Sequence, residues 1–335
     1  MRILIDIVHL GDLNFYYKSI NILRKENEVI LTVLQRGNLI DIVKSAFPDL
    51  KVIPLGKHRN GKLNKIIGIF DRELKFLSLF LRKRFDRVSS FGFYPAIAAK
   101  LFGIKSVLFN DDYEYTLMFN LCKFFGDAFI VPESIPVKGN NIVKYRGFKE
   151  LAYLYDFKPN KKALDKYGLK ENKYVFVRDI EPISLNYEHT KKLDFTELFT
   201  FLKNIGYKAL YYPESKFQGN KYKSLCVRLK APVDNIHSLL YFAKFSISTG
   251  DGIARESALL GTPAIYAGER DMKIMEPLLK MNAISKASKI HEIKNKILQI
   301  CDKNYKTNIR KIIHAKYREW QDWSEIIVDE INKSK

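Results

Sequence analysis

The sequence predicts an α/β protein built from two doubly wound parallel sheets, one in each half of the chain. Three observations carry this. Short β-prone runs alternate with segments of helical periodicity from the first residue onward; the alternation stops near residue 150 and restarts; and glycines stand where a strand gives way to a helix. Such alternation implies parallel strands joined by crossover helices. At 335 residues the chain is long for one core and comfortable for two, taking roughly 150 residues per domain as a guide.

In order along the first half, 3–8, 29–34, 52–55, 87–90, 106–109 and 128–131 are β-rich and read as strands. Apolar residues recur at helical spacing in 13–23, 39–47 and 94–102. The run 64–84 mixes Phe70, Phe76, Leu77, Phe80 and Leu81 with Arg82, Lys83 and Arg84 at its end. That pattern fits either a crossover helix packed on the sheet or a basic amphipathic helix resting on a membrane surface. After Gly147 and a linker around Pro159, strands are expected at 174–177, 209–212, 245–248 and 264–266. The tail 304–332 is polar and helical and carries Trp320, Trp323 and Ile327. Domains are therefore placed at 1–155 and 156–303, with 304–335 as a terminal helix.

Hydrophobic residues at 47% and aromatic residues at 13% suffice for substantial cores and exclude a largely disordered chain. Cys122, Cys226 and Cys301 are scattered and odd in number, which fits neither a disulfide framework nor paired metal ligands, so a reducing cytoplasm is expected. His189, His291 and His314 have no partners at metal-ligand spacing, and no structural zinc is expected. No apolar run approaches the ~20 residues needed to cross a bilayer, and the chain opens on a strand-like run rather than a signal peptide. The expected location is the cytoplasm, with peripheral association at the inner membrane face as an option.

Net charge is +20, and between residues 51 and 87 eleven Lys or Arg stand against three Asp or Glu. Such a face attracts phospholipid headgroups, an acidic or lipid-linked acceptor, or nucleic acid, or it reflects a lysine-rich composition at large. No recognised RNA- or DNA-binding motif accompanies the charge, which disfavours nucleic acid.

The most informative stretch is 248–256, Ser-Thr-Gly-Asp-Gly-Ile-Ala-Arg-Glu. A β-prone run ends at Ser248, the turn Thr249, Gly250, Asp251, Gly252 follows, and a helix is expected at 253–260 before Gly261-Thr262-Pro263 stops it. Strand, glycine turn and helix N-terminus together aim unsatisfied N–H groups and a positive dipole end at one point. Glu256, one turn into that helix, can accept both hydroxyls of a ribose; alternatively the turn holds no ligand and Asp251 is a cap.

Other loops after strands carry candidate chemistry. In Val8-His9-Leu10-Gly11-Asp12, Gly11 permits a tight turn into the helix, and His9 reads as a general base or a buried, backbone-bonded histidine, with Asp12 presented beside it. Asn110-Asp111-Asp112-Tyr113-Glu114 gathers three carboxylates, which signals an acid/base site or a solvated helix start. Arg178 follows a strand where a guanidinium can clamp a diphosphate, or pair with Asp179 or Glu181. The segment 228–237 includes Lys230 as a candidate nucleotide contact, while His237 reads as a helix-start residue.

The segment 248–265 resembles the corresponding stretch of the GT-B superfamily, the two-domain glycosyltransferases and the non-hydrolysing UDP-N-acetylglucosamine 2-epimerases. MRILIDIVHLGDLNFYYKSI, KYRGFKELAYLYDFKPN and YVFVRDIEP are similar to the mainly archaeal domain-of-unknown-function family 354, over almost the whole chain. The resemblance implies two Rossmann-like domains facing a cleft, with a last helix that crosses back to the first. It also implies a nucleotide-sugar, in the first place UDP-sugar, held by Thr249, Gly250, Asp251, Gly252, Glu256, Arg178, Lys230 and Gly11. By the same likeness Glu114 and Asp112 match a catalytic glutamate position of the epimerases, although the surrounding pattern departs from theirs, and the His9 loop carries a histidine in the resembling family. The implied activity is glycosyl transfer without a cofactor or metal, to a lipid-linked or acidic glycan acceptor; the alternatives are UDP-N-acetylhexosamine 2-epimerisation and, from another class, nucleic-acid binding.

Overall fold

The computed structural model describes residues 1–59, 61–181, 193–214, 221–231 and 233–333. They divide into two compact units, Met1–Tyr155 with Trp320–Lys335, and Asp156–Glu319. His189 lies outside the described residues.

The first unit holds a seven-stranded sheet of β1 (Arg2–Ile7), β2 (Glu28–Gln35), β3 (Lys51–Lys57), β4 (Arg87–Phe91), β5 (Lys105–Phe109), β6 (Ala128–Pro132) and β7 (Ile142–Tyr145), in the order β3-β2-β1-β4-β5-β6-β7. All pairings are parallel. Crossovers are made by α1 (Leu10–Leu23), α2 (Leu39–Ala46), α3 (Lys62–Arg82), α4 (Ala96–Leu101) and α5 (Thr116–Phe125), with the short α6 (Leu151–Leu154) after β7. Because helices cover both faces, β1 is buried from Ile3 to Ile7 without polar alternation.

The second unit holds β8 (Tyr174–Asp179), β9 (Lys208–Pro213), β10 (Cys226–Arg228), β11 (Phe245–Ser248), β12 (Ala264–Tyr266) and β13 (Ile284–Lys286), in the order β10-β9-β8-β11-β12-β13. These pairings too are parallel. Its helices are α7 (Thr196–Asn204), α8 (Ile236–Phe242), α9 (Asp251–Leu259), α10 (Glu276–Lys280), α11 (Ile290–Ile300) and α12 (Tyr305–Tyr317). The tail divides: α12 belongs to the second unit and α13 (Trp323–Asn332) to the first, where Trp323 is buried near Phe15 and Trp320 meets Phe148.

Each strand order reverses once, between β1 and β4 in the first sheet and between β8 and β11 in the second. Ligands of open α/β sheets bind outside the carboxyl ends of the strands at such a reversal. The loops after β1 and after β11 are therefore the places to look.

A buried ion pair ties α3 to the first sheet. Arg72 donates to both oxygens of Asp6, at 2.9 and 2.6 Å, and from Nε to the Leu55 carbonyl at 3.0 Å; the Thr32 hydroxyl adds a 2.6 Å bond to Asp6. Gly56 has φ +80°, and a Cβ there would meet Arg72 at 3.1 Å, so glycine makes room for the guanidinium stem. Burial raises the Asp6 pKa, and Arg72 with Thr32 opposes it; the two-point geometry is that of an ionised pair.

Next to it, burial pushes the Glu73 carboxyl up to about 8, against the pull of Arg72. A raised folded pKa means the stability Glu73 contributes is complete below its ordinary value near 4.5 and is lost as pH rises through about 8. Glu73→Gln is therefore expected to gain on the parent as pH rises from 5 to 8, by up to roughly 1.4 kcal/mol for each pH step of one. Thermal denaturation across that range checks it, and a constant offset between the two proteins contradicts it.

The apolar residues of α3 divide. Phe76 and Phe80 are buried in the core with Phe85 and Val88, whereas Ile66, Ile67, Phe70, Leu74 and Leu81 are exposed. Among the described residues, no helix is long and apolar enough to cross a membrane.

Candidate functional site

In the second unit, β11 is buried throughout and pairs with β8 and β12, with Ser248 opposite Arg178 and Tyr266. The turn that follows is held by its own polar groups. Ser248 Oγ donates to the Gly250 carbonyl at 2.6 Å and accepts from the Gly250 amide at 3.2 Å. The Thr249 amide donates to the Arg178 carbonyl at 3.1 Å, and the Ile180 amide donates to Thr249 Oγ1 at 2.8 Å. Helix α9 begins at Asp251, two residues ahead of the expected start, and its N-cap, Gly250, has no side chain to cap the first-turn amides.

The two glycines do different work. A Cβ on Gly250 would sit 2.9 Å from Ile180 Cγ2, so that glycine is required by packing. A Cβ on Gly252 would meet nothing within 4 Å, so there is open space beside the first turn of α9 at that position. The Asp251 carboxylate does not face an incoming anion uncompensated: it pairs with the buried Arg255 at 3.1 Å. Glu256 lies 3.5 Å from His237 of α8, and His237 stands edge-on to Phe157.

Arg178 is already engaged, but not by the acids expected. It donates to the Tyr212 carbonyl at 3.2 Å, lies 4.4 Å from the Tyr212 ring centroid and reaches Glu214 at 3.9 Å. Asp179 instead accepts from Tyr211 Oη at 2.7 Å, inside the core. Lys230 is exposed after β10, an edge strand three positions from β11. At about 4.8 Å per strand, that places it about 14 Å along the sheet from the turn. Lys230 therefore stands apart from the glycine turn along the sheet.

In the first unit the carboxyl ends of several strands converge. His9 caps α1, and Arg36, just after β2, donates to His9 Nδ1 at 2.5 Å. A guanidinium has no lone pair, so Nδ1 must be the acceptor and the ring hydrogen is assigned to Nε2. Crowding by protein, then Arg36, Lys149, His58 and Arg72, lower the His9 pKa to about 3. His9 is nonetheless exposed at the surface, and it stands there as a neutral imidazole that presents N–H. In this arrangement Nδ1 is occupied by Arg36 and Nε2–H is the group His9 presents.

Asp12 is engaged by the backbone. Its Oδ2 accepts from the amides of Val8 and His9, both at 2.9 Å, which closes the start of α1 at Leu10 rather than Leu13. Burial raises its pKa to about 6, and those two bonds oppose the rise. Gly11 lies inside the first turn of α1, not before it, with open space where a Cβ would stand.

The three carboxylates after β5 separate. Asp111 is buried against Lys149 at 3.0 Å; Asp112 accepts from the Tyr115 amide at 3.3 Å; Glu114 is half-buried beside them. Lys149, which also lies 4.3 Å from the Phe91 ring centroid, links the ends of β4, β5 and β7. Lys149, Arg36, His58, Arg255 and the Ile180 contact were not singled out from the sequence. Arg36 and His58 each directly follow a strand, which is the signal that finds them. Among the described residues, no group of three His, Cys, Asp or Glu is placed to hold a metal ion.

Two open parallel sheets in one chain, each with polar groups gathered at the carboxyl ends of its strands, define the GT-B class of fold. The chain belongs to the family described as "Protein of unknown function (DUF354)", whose profile matches residues 1–334. Among curated proteins, none matches the chain. Its structure is similar to that of UDP-N-acetylglucosamine 2-epimerase from Rickettsia bellii, with TM-score 0.77 and 13% identity over 99% of this chain and 96% of that one. The Neisseria meningitidis UDP-GlcNAc 2-epimerase bound to UDP-GlcNAc aligns at TM-score 0.70 and 14% identity, covering 100% of both chains. The spinosyn rhamnosyltransferase SpnG aligns at 0.69 and 12% identity, over 99% of this chain and 100% of that one. At these identities the likeness establishes the fold.

Proposed function

We propose that the protein is a glycosyltransferase that takes its sugar from a nucleoside diphosphate, in the first place UDP. The observation that carries this reading is the uncapped start of α9 beneath open space at Gly252, located where the second sheet reverses its order. In this reading the first-turn amides of α9 at Asp251 and Gly252 bind the diphosphate, the turn Thr249–Gly250 holds them in place, Glu256 accepts the ribose hydroxyls, and the helix dipole with Arg178 stabilises charge on the departing group. The acceptor oxygen forms a bond to the sugar's anomeric carbon as the bond to the phosphate oxygen breaks, and the nucleoside diphosphate leaves with the electron pair. Glu114 or Asp112 takes the acceptor's proton, and His9 offers a hydrogen bond from Nε2–H to the acceptor without giving up its proton. No metal is part of the proposal. The exposed apolar side chains of α3, with Arg82 and Arg84 exposed at its end, support an acceptor presented at an anionic membrane surface.

Gly252→Ala tests the site. A methyl group in that open space blocks close approach to the amides, while alanine favours a helix over glycine by about 1 kcal/mol. UDP affinity, measured by calorimetry, is expected to fall at least tenfold with the thermal midpoint unchanged or raised. Undiminished affinity refutes the assignment.

The epimerase reading has its own support in the fold likeness to two UDP-N-acetylglucosamine 2-epimerases and in the carboxylates after β5. Incubation with UDP-N-acetylglucosamine in heavy water separates the two. Deuterium entering C2 without an acceptor favours epimerisation.

A further inference from the structure

At the opposite ends of the second unit's strands, where β8, β9 and β11 begin, lies a cavity of about 660 Å³. Six cations line it, Lys173, Lys244, Lys303, Lys306, Arg310 and Lys311, joined by His314, and none of its lining residues is Asp or Glu. β8 alone runs six residues from this edge to the one that bears Arg178, about 20 Å at 3.3 Å per residue.

Part of this charge has a structural reason. Lys306 is 6% exposed and donates to Asn172 Oδ1 at 2.8 Å and to the carbonyls of Tyr241 and Ala243 at 2.9 and 2.5 Å. Arg310 donates to the Tyr241 carbonyl at 2.9 Å and lies 3.9 Å from that ring's centroid. Both therefore answer the carbonyl end of α8, where cations are favoured. The remainder is not explained this way. Arg310 Nε is buried with no hydrogen-bond partner. Lys244, 8% exposed, donates to the Asp302 carbonyl at 3.1 Å, a neutral acceptor. Lys173, Lys303 and Lys311 stand exposed around the rim. The carboxylate that acts on Lys306 and Arg310 is Glu171, itself paired with Lys161 at 3.1 Å. Burial first, then Arg310 and Lys244, bring the Lys306 pKa down to about 7, with Glu171 opposing them.

We propose that this cavity is a second anion site that binds a small molecule carrying two or more phosphate groups. Its volume lies in the range of small-ligand sites. Its cations converge on one hollow from strand starts and from α12, whereas a nucleic-acid backbone is met by cations spread along a stripe. Tyr207 at the wall offers a ring against which a planar group can rest.

The test uses the full chain carrying Gly252→Ala, which weakens anion binding at the start of α9, and inorganic triphosphate titrated by calorimetry without UDP, whose own two phosphates would compete. One equivalent is expected to bind, at least tenfold more weakly in the Lys303→Glu, Lys311→Glu double variant, with affinity regained when the same two positions carry arginine. Without Gly252→Ala, the tighter UDP site at the start of α9 is expected to keep its affinity when the two cavity lysines are reversed, which distinguishes the two sites. Triphosphate binding that survives the double charge reversal overturns the proposal. So does a single-stranded RNA 12-mer that binds more tightly than triphosphate and is lost in the same variant, since that assigns the face to a polymer.

Discussion

Asp6→Ala is expected to destabilise the first unit by about 3–5 kcal/mol, the usual cost of leaving one member of a buried ion pair alone. Arg72 is 2% exposed and Asp6 is fully buried, so water cannot replace the lost carboxylate. The guanidinium would keep the Leu55 carbonyl and the rings of Phe76 and Tyr94, 5.3 and 5.0 Å from their centroids. None of these balances its charge. Thr32 would lose its acceptor as well. Replacing both partners together, Asp6→Leu with Arg72→Met, is expected to cost much less, because the buried charge disappears with its partner. Chemical denaturation of the three proteins measures the difference. A single Asp6→Ala variant within 1 kcal/mol of the parent would show that the pair contributes little.

Glu256→Ala is expected to lower UDP affinity by ten- to a hundredfold. A hydrogen bond to a charged acceptor contributes about 1.5–3 kcal/mol, and each 1.4 kcal/mol is tenfold in affinity. The side chain lies six residues into α9, partly buried and 3.5 Å from His237, so its position is set before any ligand arrives. Glu256→Gln keeps an acceptor without the charge and is expected to fall between the two. His237→Ala separates positioning from contact: it is expected to weaken UDP binding less than Glu256→Ala does. Equal affinity of parent and Glu256→Ala would remove the ribose assignment while leaving the amide turn to be judged by Gly252→Ala.

Much of this architecture was legible along the chain, because strand and helix periods are local and the main strands are long, apolar runs. The turn at 249–252 was legible for the same reason, since two glycines between a buried run and a helical pattern have few other uses. Short edge strands were not. β7, β10 and β13 have three or four residues each, too few to show a period. The extent of the terminal segment was also missed: 304–335 reads as one helical tail, yet α12 packs with the second unit and α13 with the first.

The chain by itself determined that there are two parallel sheets, where their glycine turn falls, and which loops follow strands, since backbone preference and hydrophobic period act between near neighbours. Tertiary structure decided the partners. Arg72 finds Asp6 across 66 positions, Arg36 finds His9 across 27, and Arg178 turns to Tyr212 and Glu214 rather than to the adjacent acids. It also moved Lys230 away from the turn and gathered six cations from separate segments around one cavity. The reason is physical: charge, burial and proton position depend on distance in space, and strand order, which sets those distances, is fixed only when the sheet assembles.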